Sequence, residues 1–282
     1  MEISVIIPVY NDPEGIQNTL DSLTSQTISR DEYEIIVVDN NSTDETPAVI
    51  ESYDVTYLVE AEIQSSYAAR NTGIEYSSAE ILAFVDADMV VDDDWVESVL
   101  EEFNHINHSY MGCNVEVVVP SEKDTIWARF NKARGFPVEF YIEEMNFAPT
   151  CCLVVSKELV KDIGGFDQRL ISGGDSDFGH RAADAGYEQY FAENIHMYHP
   201  PRYTSREMIK KAKRLGRGKA QQREIAGDRR MSFADIVPPH PVKYRNRLGD
   251  VPIAAFPLYY LFECGMKAAK FRGILDECVG TR

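Results

Sequence analysis

Apolar and polar positions alternate in blocks along the first ninety residues. Short apolar runs, rich in β-branched residues, are separated by segments whose apolar residues recur at helical spacing. Strands that alternate with helices in this way are typical of an α/β fold with a parallel sheet. The predicted strands are Ile3–Val9, 33–38, 55–59 and 81–85. The predicted helices are 13–26, one that follows a capping turn at 40–46, and 64–76.

The pattern after residue 90 is less regular. Residues 121–145 are mixed and aromatic, and they fit either a loop over an acceptor site or an insertion that packs on the surface. Thr204 and Glu207 have the spacing of a capping box, which predicts the start of a basic helix that runs to about residue 226. The other predicted elements are helices at 95–103 and 156–163, a helix that starts near Asp175, and strands at 110–119, 148–155 and 188–198.

Carboxylates follow two of the predicted parallel strands. Asp86 and Asp88 come directly after the fourth strand, and Asp39 ends the second. Ligands of open α/β sheets bind beyond the carboxyl ends of such strands, and paired carboxylates suit a hard divalent cation. The sequence therefore predicts a metal that holds a diphosphate. A helix cap explains Asp39 equally well, and capping is the favoured interpretation of Asp92, Asp93 and Asp94.

A second group of candidate residues lies between positions 173 and 199. Asp175 follows two glycines at a predicted helix start, where it could act as a general base or as a helix cap; Asp177 fits the cap better. His196 and His199 follow in the last predicted strand of this region. Each could be a structural histidine or a metal ligand.

Composition restricts the class of protein. With 282 residues, 44% of them hydrophobic and 26% charged, the chain can bury a sizeable core. A formal charge of −18 argues against a nucleic-acid partner, and it fits either a halophile's acidic surface or an ordinary acidic cytosolic protein. Five cysteines without a Cys-x-x-Cys pair indicate a reducing compartment and no disulfide framework.

Basic residues are concentrated near the C-terminus. Residues 201–247 contain fourteen of the 28 Lys and Arg but four of the 46 Asp and Glu, so this segment carries +10 and the remainder −28. The segment could be a solvated helix, or residues 201–262 could bind an anionic membrane surface or acceptor. Within it, residues 251–262 could lie in a membrane interface or pack as a core helix. No basic leader and no apolar run of ~20 residues occurs, so we expect a cytoplasmic location, either free or peripheral on the cytoplasmic membrane face.

Six motifs occur in the order and spacing of a known family. The chain resembles family 2 glycosyltransferases with the GT-A fold over about residues 1–200, on the motifs VIIPVYND, VVDNNSTDET, ARNTGI, FVDADM, GGFDQ and GGDSDFGHR. The resemblance implies a mostly parallel sheet flanked by helices. Residues 1–200 would form the transferase domain, with a donor half to about 110 and an acceptor half from 111, and residues 201–282 a basic and apolar helical extension.

The resemblance also implies an activity. The chain would be an inverting, metal-dependent hexosyltransferase that uses Mn²⁺ or Mg²⁺. It would move a sugar from a nucleotide-diphosphate donor, with UDP favoured, to a hydroxyl or phosphate acceptor in glycan or lipid-linked saccharide synthesis. Two alternatives remain. One is a phosphatase of the haloacid-dehalogenase type with Asp86 as nucleophile and Asp88 as acid, although that family places this motif on its first strand. The other is a nucleotide-sugar binding protein without catalysis.

Site roles are carried over by position. The resemblance implies that Asp39 reads the uracil or ribose and that Arg70 lies near the phosphates. Asp175 would be the base, because it matches the acidic residue that the family uses in that role. Two departures from the family are Gly174, where Glu is frequent, and residues 64–68, where glycines are frequent. The remaining donor-binding residues would be Pro8, Tyr10, Asp12, Asp86 and Ala87, and the metal ligands Asp88, Asp86 and His199.

Overall fold

The four strands predicted in the first ninety residues lie side by side in the computed structural model, which describes residues 1–106, 108–228, 232–248 and 251–280. Two compact units are present. The first comprises Met1–Glu116, Pro137–Arg169 and Gly174–His199, and it holds the sheet. The second comprises Val117–Phe136, Leu170–Gly173 and Pro200–Arg282.

Within the described residues the sheet has eight strands in the order β3-β2-β1-β4-β7-β6-β8-β5. Strand β1 pairs in parallel with β2 and β4, and β2 pairs in parallel with β3. The later strands pair antiparallel, β7 with β4 and β6, and β5 with β8, so the sheet is mixed. The strands are β1 Ile3–Val9, β2 Tyr33–Asp39, β3 Thr56–Val59, β4 Ile81–Phe84, β5 Val90–Val91, β6 Tyr110–Val117, β7 Leu153–Ser156 and β8 Gln189–His199.

Helices pack on this sheet and make up most of the second unit, which confirms the predicted α/β fold with a helical C-terminal extension. The helices are α1 Pro13–Thr24, α2 Thr46–Ile50, α3 Ser66–Tyr76, α4 Trp95–His105, α5 Ile126–Arg134, α6 Val138–Met145, α7 Lys157–Ile163, α8 Gly174–Asp184, α9 Ser205–Ile225, α10 Phe233–Ile236, α11 Pro241–Arg247 and α12 Phe256–Gly280. Short 3₁₀ helices occupy Ser121–Lys123, Thr150–Cys152 and Ile253–Ala255.

The core of the first unit is the sheet itself. Every residue of β1 is buried, and β2 is buried except at Glu34, because apolar side chains cover both faces of these strands. Pro8 sits near the end of β1, beside Val38 of β2. A proline is tolerated near a strand end, so Pro8 does not disturb the pairing of β1 with β2.

The second unit is built around the contact between α9 and α12. A Cβ added to Gly216 would lie 1.9 Å from the carbonyl oxygen of Lys270, and one added to Gly273 would lie 2.1 Å from that of Lys213. Two glycines therefore allow the helix backbones to approach closely. An apolar cluster completes this core, and it includes Phe130, Met208, Ala212, Tyr244, Tyr259 and Met266.

These elements show what several of the segments predicted from the sequence form. The capping box at Thr204 and Glu207 is present at the start of α9. Residues 121–145 form α5, in the second unit, and α6, in the first. Residues 251–262 form a 3₁₀ helix and the start of α12, where Tyr259 is buried in the apolar cluster. Residues 229–231 and 249–250 of the basic segment lie outside the described residues.

One predicted strand is shorter than expected. Residues 148–155 were expected to be extended, but β7 begins only at Leu153. The reason is a 3₁₀ turn over the preceding residues, in which the backbone N–H of Cys152 donates to the carbonyl of Pro149 at 3.1 Å. The apolar character of this stretch reflects burial of the turn, since both Cys151 and Cys152 are buried.

Candidate active site

The turn between β4 and β5 carries Asp86, Ala87 and Asp88. The N–H of Met89 closes this turn on the carbonyl of Asp86 at 3.1 Å, and Thr19 of α1 donates its hydroxyl to the Met89 carbonyl at 2.7 Å. A Cβ at Gly15 would lie 2.8 Å from the carbonyl oxygen of Ala87. The first turn of α1 therefore lies directly against this loop, and the glycine makes that approach feasible.

Asp86 forms an ion pair with a buried arginine. The Nη2 atom of Arg70, on α3, lies 2.5 Å from Oδ1 of Asp86, and the arginine side chain is 3% exposed. Its Nη1 donates to the carbonyl of Ser66 at 3.3 Å. Its Nε is buried and has no hydrogen-bond partner within the part of the chain that the structure describes. Such an orphaned donor is uncommon in a protein interior, and a bound ion or ligand is one explanation for it.

Asp88 lies close to His199 because β5 pairs with β8. This pairing sets Val90 opposite Tyr198, so the residues that flank it meet across the two strands. The Oδ2 atom of Asp88 is 3.6 Å from Nε2 of His199. This distance is too long for a hydrogen bond. It is comparable with the roughly 3 Å that separates neighbouring ligands at ~2.1 Å from one metal ion.

The donor set suits a divalent metal but is incomplete. A carboxylate and an imidazole fit Mn²⁺, while Mg²⁺ prefers oxygen alone. No group of three or more His, Cys, Asp or Glu residues that could hold a metal occurs in the described residues. A metal here would therefore need further ligands from a bound substrate or from water.

His196 has a different partner. Its Nδ1 lies 3.1 Å from Oε1 of Glu116. Residues three positions apart in a strand point to opposite faces. His196 and His199 therefore cannot serve one site from this strand, and His199 is the one that contacts Asp88.

Asp12 and Asp39 lie at the ends of the first two strands, and each has a local structural partner. Asp12 caps α1 by accepting from the N–H of Gly15 at 3.0 Å, and its pKa is raised by burial and, to a smaller extent, by Asp88. Asp39 accepts from the N–H of Ser42 at 2.9 Å. It also accepts from the hydroxyl of Tyr57 at 3.1 Å, and burial together with Asp39 raises the pKa of Tyr57 to about 12.

Pro8 and Tyr10 flank Val9 at the end of β1, and they differ in exposure. Pro8 is buried, whereas Tyr10 is 50% exposed. An exposed aromatic ring directly after β1 is available to a planar ligand.

Asp175 is the second residue of α8. Desolvation raises its pKa, while the N–H of Ser176, at 2.9 Å from Oδ1, and the positive charge of Arg70 act in the opposite direction. The charge of Asp86 raises the pKa further. Asp175 therefore belongs to the same charged cluster as the Arg70–Asp86 pair.

Asp177 and the acidic run at 92–94 do not cap helices through their side chains, contrary to expectation. Asp177 accepts from Nε of Arg181 at 2.9 Å. Asp94 occupies the cap position of α4 without a side-chain hydrogen bond, and Asp92 accepts from the hydroxyl of Tyr198 at 3.1 Å. Acidic residues near a helix start can still interact favourably with its dipole.

Tyr67 is a site residue that sequence reasoning missed. Its hydroxyl accepts from the N–H of Gly174 at 2.9 Å, and its ring stacks on Phe166 with centroids 5.9 Å apart. A Cβ at Gly174 would lie only 2.7 Å from the Tyr67 ring. The two departures from the family pattern thus explain each other, because the tyrosine fills the space that a larger residue at position 174 would need. Their joint occurrence was the available signal.

Comparisons with known proteins give a consistent result. A family model described as Glycosyl transferase family 2 matches residues 4–164. Glycosyltransferase AglE of Haloferax volcanii is 41% identical over 224 residues, which cover 78% of this chain and 73% of that protein. Poly(ribitol-phosphate) beta-glucosyltransferase of Bacillus spizizenii is 39% identical over 94 residues, or 31% of this chain and 15% of that protein.

Solved structures have the same fold. The mannosyltransferase PcManGT from Pyrobaculum calidifontis, in complex with GDP-Man and Mn²⁺, has a TM-score of 0.59 at 20% identity, covering 99% of this chain and 79% of that one. S. aureus TarS 1-349 in complex with UDP has a TM-score of 0.56 at 18% identity, covering 99% and 92%. At this level of identity the likeness concerns the fold alone.

Proposed function

Because the chain belongs to glycosyl transferase family 2, we propose that it moves a hexosyl group from a nucleotide-diphosphate sugar, with a UDP-sugar favoured, to a hydroxyl or phosphate acceptor. The acceptor is a growing glycan or a lipid-linked saccharide. The observation that carries the proposal is one charged cluster around Asp86 and Asp88, which follow the parallel strand β4. It combines the Arg70–Asp86 pair, the Asp88–His199 contact and Asp175.

The donor binds at the ends of β1, β2 and β4. Asp39 and Tyr10 contact the nucleoside, and Arg70 binds the diphosphate. A buried arginine with an orphaned Nε supports this role, since guanidinium groups bind phosphate oxygens in pairs. Residues up to about 110 form the donor half and residues 111–200 the acceptor half of the transferase. The other donor-binding residues are Pro8, Asp12, Asp86 and Ala87.

Asp88 and His199 hold the Mn²⁺ or Mg²⁺ cofactor, with Asp86 shared between metal and ribose. Their 3.6 Å separation supports this assignment, and the nitrogen donor favours Mn²⁺ over Mg²⁺. When bound, a divalent cation supplies Lewis-acid neutralisation of a diphosphate leaving group. The burial of His199, which is 10% exposed, limits the competition from water for its ring nitrogen.

Asp175 accepts the proton of the acceptor hydroxyl while that oxygen attacks the anomeric carbon from the face opposite the diphosphate. A single base without a second carboxylate as nucleophile gives inversion. The raised pKa of Asp175 supports the role, because a more basic carboxylate takes up a proton more readily at neutral pH. The positive charge of Arg70 acts in the opposite direction and favours the ionised form that a base needs.

The ligands bound in structurally similar proteins support the choice of donor and metal. PcManGT is described in complex with GDP-Man and Mn²⁺, and TarS 1-349 with UDP and with UDP-GlcNAc. Two of these ligands are nucleotide-diphosphate sugars, and the third, UDP, is a nucleoside diphosphate. We carry this chemical class to the present chain, and we favour uridine.

The two alternatives predict different results. A phosphatase with Asp86 as nucleophile is not favoured, since the family membership points to transfer and Asp86 is held by Arg70. It would release phosphate from simple esters without a nucleotide sugar. A binding protein would take up the donor with metal but would give no turnover.

The test is a thermal-shift panel of UDP-, GDP- and dTDP-sugars with Mn²⁺, followed by assay of free nucleotide with candidate acceptors. A ligand that binds only the folded state raises its melting temperature. Asp88→Asn should abolish the metal-dependent part of the shift. Asp175→Asn should keep the shift and lower the transfer rate by ~10²–10⁴-fold. Asp93→Asn, an exposed carboxylate in the next segment, is the matched control. Loss of donor binding in Asp175→Asn would refute the base assignment.

A peripheral association with an anionic membrane surface on the cytoplasmic side is part of the proposal. Within the described residues no helix has the length and apolar character needed to traverse a bilayer. Ile253 is 80% exposed and Leu261 65%, in the same unit as the cationic helix α9. Apolar residues beside basic ones are typical of interfacial binding. Absence of binding to anionic liposomes at low salt would contradict it.

A further inference from the structure

The second unit contains a cleft of about 630 Å³ beside the cationic helix α9. Such a volume is in the usual range of ligand sites. Four basic side chains of α9 line one side, and acidic residues at the end of α12 line the other. The charged lining residues are Lys210, Lys213, Arg214, Arg217, Asp276 and Glu277.

The four cations occupy one face of the helix. Lys210 is followed by the other three cations at intervals of three, four and seven residues. Residues at these intervals lie side by side on a helix surface. The opposite face is fixed by packing, since Met208, Ala212 and Gly216 are buried. The close approach of Gly216 to Lys270 of α12 sets the rotation of α9 about its axis. The fold thus holds the cations together on the open side.

The acidic residues of the cleft pair with only one of these four cations. Glu277 accepts from Nε of Arg217 at 2.7 Å and from Gln221 at 2.9 Å. Asp276 pairs with Arg272 at 2.8 Å. Among the residues that the structure describes, no acidic side chain lies within ion-pair distance of the other three cleft cations. These are Lys210, Lys213 and Arg214.

Uncompensated like charges at these spacings repel one another. The arrangement is unusual in a chain with a net charge of −18, where acidic partners are abundant. An anion with two or more charges would convert the repulsion into attraction. Phosphate and diphosphate groups suit the site best, because arginine binds their oxygens in pairs and lysine adds point charges.

The segment that borders this cleft leads directly to the candidate base. Ile171, which lines the cleft, donates its N–H to Oε1 of Gln221 at 3.0 Å. Gln222 donates to the carbonyl of Gly173 at 2.8 Å. Helix α9 therefore holds residues 171–173, and Asp175 follows Ile171 by four residues in the chain.

We propose that the cleft formed by Lys210, Lys213, Arg214 and Arg217 binds the phosphate or diphosphate group of the acceptor. The identification of that ligand as the acceptor rests on the proposed transfer reaction, whereas the binding of phosphate does not. The source is either a lipid-linked phosphate or a free phosphorylated sugar. Both carry the same recognised group.

The experiment is calorimetric titration of the full chain with inorganic pyrophosphate, at low salt and with a chelator that removes divalent metals. The cleft variant is Lys213→Gln with Arg214→Gln. The matched control is Arg206→Gln with Lys243→Gln, two exposed cations outside the cleft that give the same change in net charge. We expect binding to the cleft variant to be about tenfold weaker, the size of the loss of two exposed charge contacts. The control should match the wild type.

Equal binding by both variants, or no binding by the wild type, would overturn the proposal. A short-chain prenyl phosphate that binds more tightly than pyrophosphate identifies the lipid source, and equal or weaker binding identifies a free phosphorylated acceptor. The thermal shift with UDP-sugar and Mn²⁺ is measured on the same variants and should be unchanged. If the wild type shows no thermal shift with UDP-sugar and Mn²⁺, the donor proposal is refuted. The binding of pyrophosphate to the cleft would still stand.

Discussion

Asp175 is a carboxylate that the fold partly removes from water, and its stability cost should depend on pH. Its pKa is raised by desolvation, so the folded state binds the proton more tightly than the unfolded state does. The charged form of Asp175 therefore lowers the free energy of unfolding. This loss of stability is complete above the raised pKa of the folded state and is absent below the unfolded-state pKa of about 3.9. Asp175→Asn should therefore be more stable than the wild type at pH 7.5, with a gain that shrinks as the pH falls.

Urea unfolding of both proteins at several pH values between 4 and 8 measures this difference. Asp93→Asn serves as the control, because its exposed side chain should give no such pH-dependent gain. A lower stability of Asp175→Asn at pH 7.5 would indicate that hydrogen bonds to the carboxylate outweigh its desolvation.

Tyr67 and Gly174 should be energetically coupled. A Cβ at position 174 would lie 2.7 Å from the tyrosine ring, which is itself stacked on Phe166. Gly174→Ala should cost about 1–3 kcal/mol through overpacking. In a Tyr67→Ala background the same change should be neutral or stabilising, since alanine favours a helix over glycine by up to ~1 kcal/mol. A double-mutant cycle by urea unfolding measures the coupling, and equal effects in both backgrounds would disprove it.

Individual residues were predictable where the chain's own pattern fixed their place. Asp39, Asp86 and Asp88 follow strands whose apolar runs are unambiguous, so their common edge followed from topology. The partner of Asp86 was not predictable from the sequence. Arg70 lies on a helix, and the direction in which its side chain points depends on how that helix packs. Tyr67 was missed because the two departures from the family pattern were read separately, and only the folded structure shows that Tyr67 and Gly174 are in contact.

Elements were predicted well when hydrophobic period and boundary signals agreed. Strand β1 and the capping box of α9 are examples, since each depends on residues adjacent in the chain. The start of β7 was wrong because a buried 3₁₀ turn is as apolar as a strand. The pairing of β5 with β8, which brings His199 to Asp88, joins residues more than a hundred positions apart. No local pattern encodes such a pairing.

The contact of α9 with α12 should depend on Gly216. A Cβ there would lie 1.9 Å from a backbone carbonyl oxygen, which cannot move as a side chain could. Gly216→Ala should destabilise the protein by at least about 1–3 kcal/mol through overpacking. Gly265→Ala on α12 is the matched control, since nothing lies within 4 Å of its added Cβ, and it should gain up to ~1 kcal/mol from helix propensity. Thermal unfolding of both variants measures these changes in stability. A Gly216→Ala variant more stable than the wild type would contradict the close approach of α9 and α12 at this residue.

Charge is the property of the whole molecule that the sequence defines most completely. The count of −18 and its split into a basic segment and an acidic remainder need no structure. The sequence did not reveal which cations stay without partners. Asp235, for example, pairs with Lys219 and Arg223 of α9, and these bonds hold its pKa at about 2. Lys210, Lys213 and Arg214 lie on the same helix as Lys219 and Arg223. They differ from these two residues in that no described acidic side chain lies within ion-pair distance of them.

Salt should therefore have opposite effects on folding and on the cleft. Screening weakens the self-repulsion of a −18 chain, so the melting temperature should rise with potassium chloride. Most of the gain should come below roughly 0.5 M, because the Debye length falls from ~10 Å at 0.1 M to ~3 Å at 1 M. Exclusion of salt from the surface would instead give a steady rise at higher concentrations. Pyrophosphate binding to the cleft should weaken over the range in which stability increases. A flat melting temperature below 0.5 M, or binding that is insensitive to salt, would show that these charges are already balanced locally.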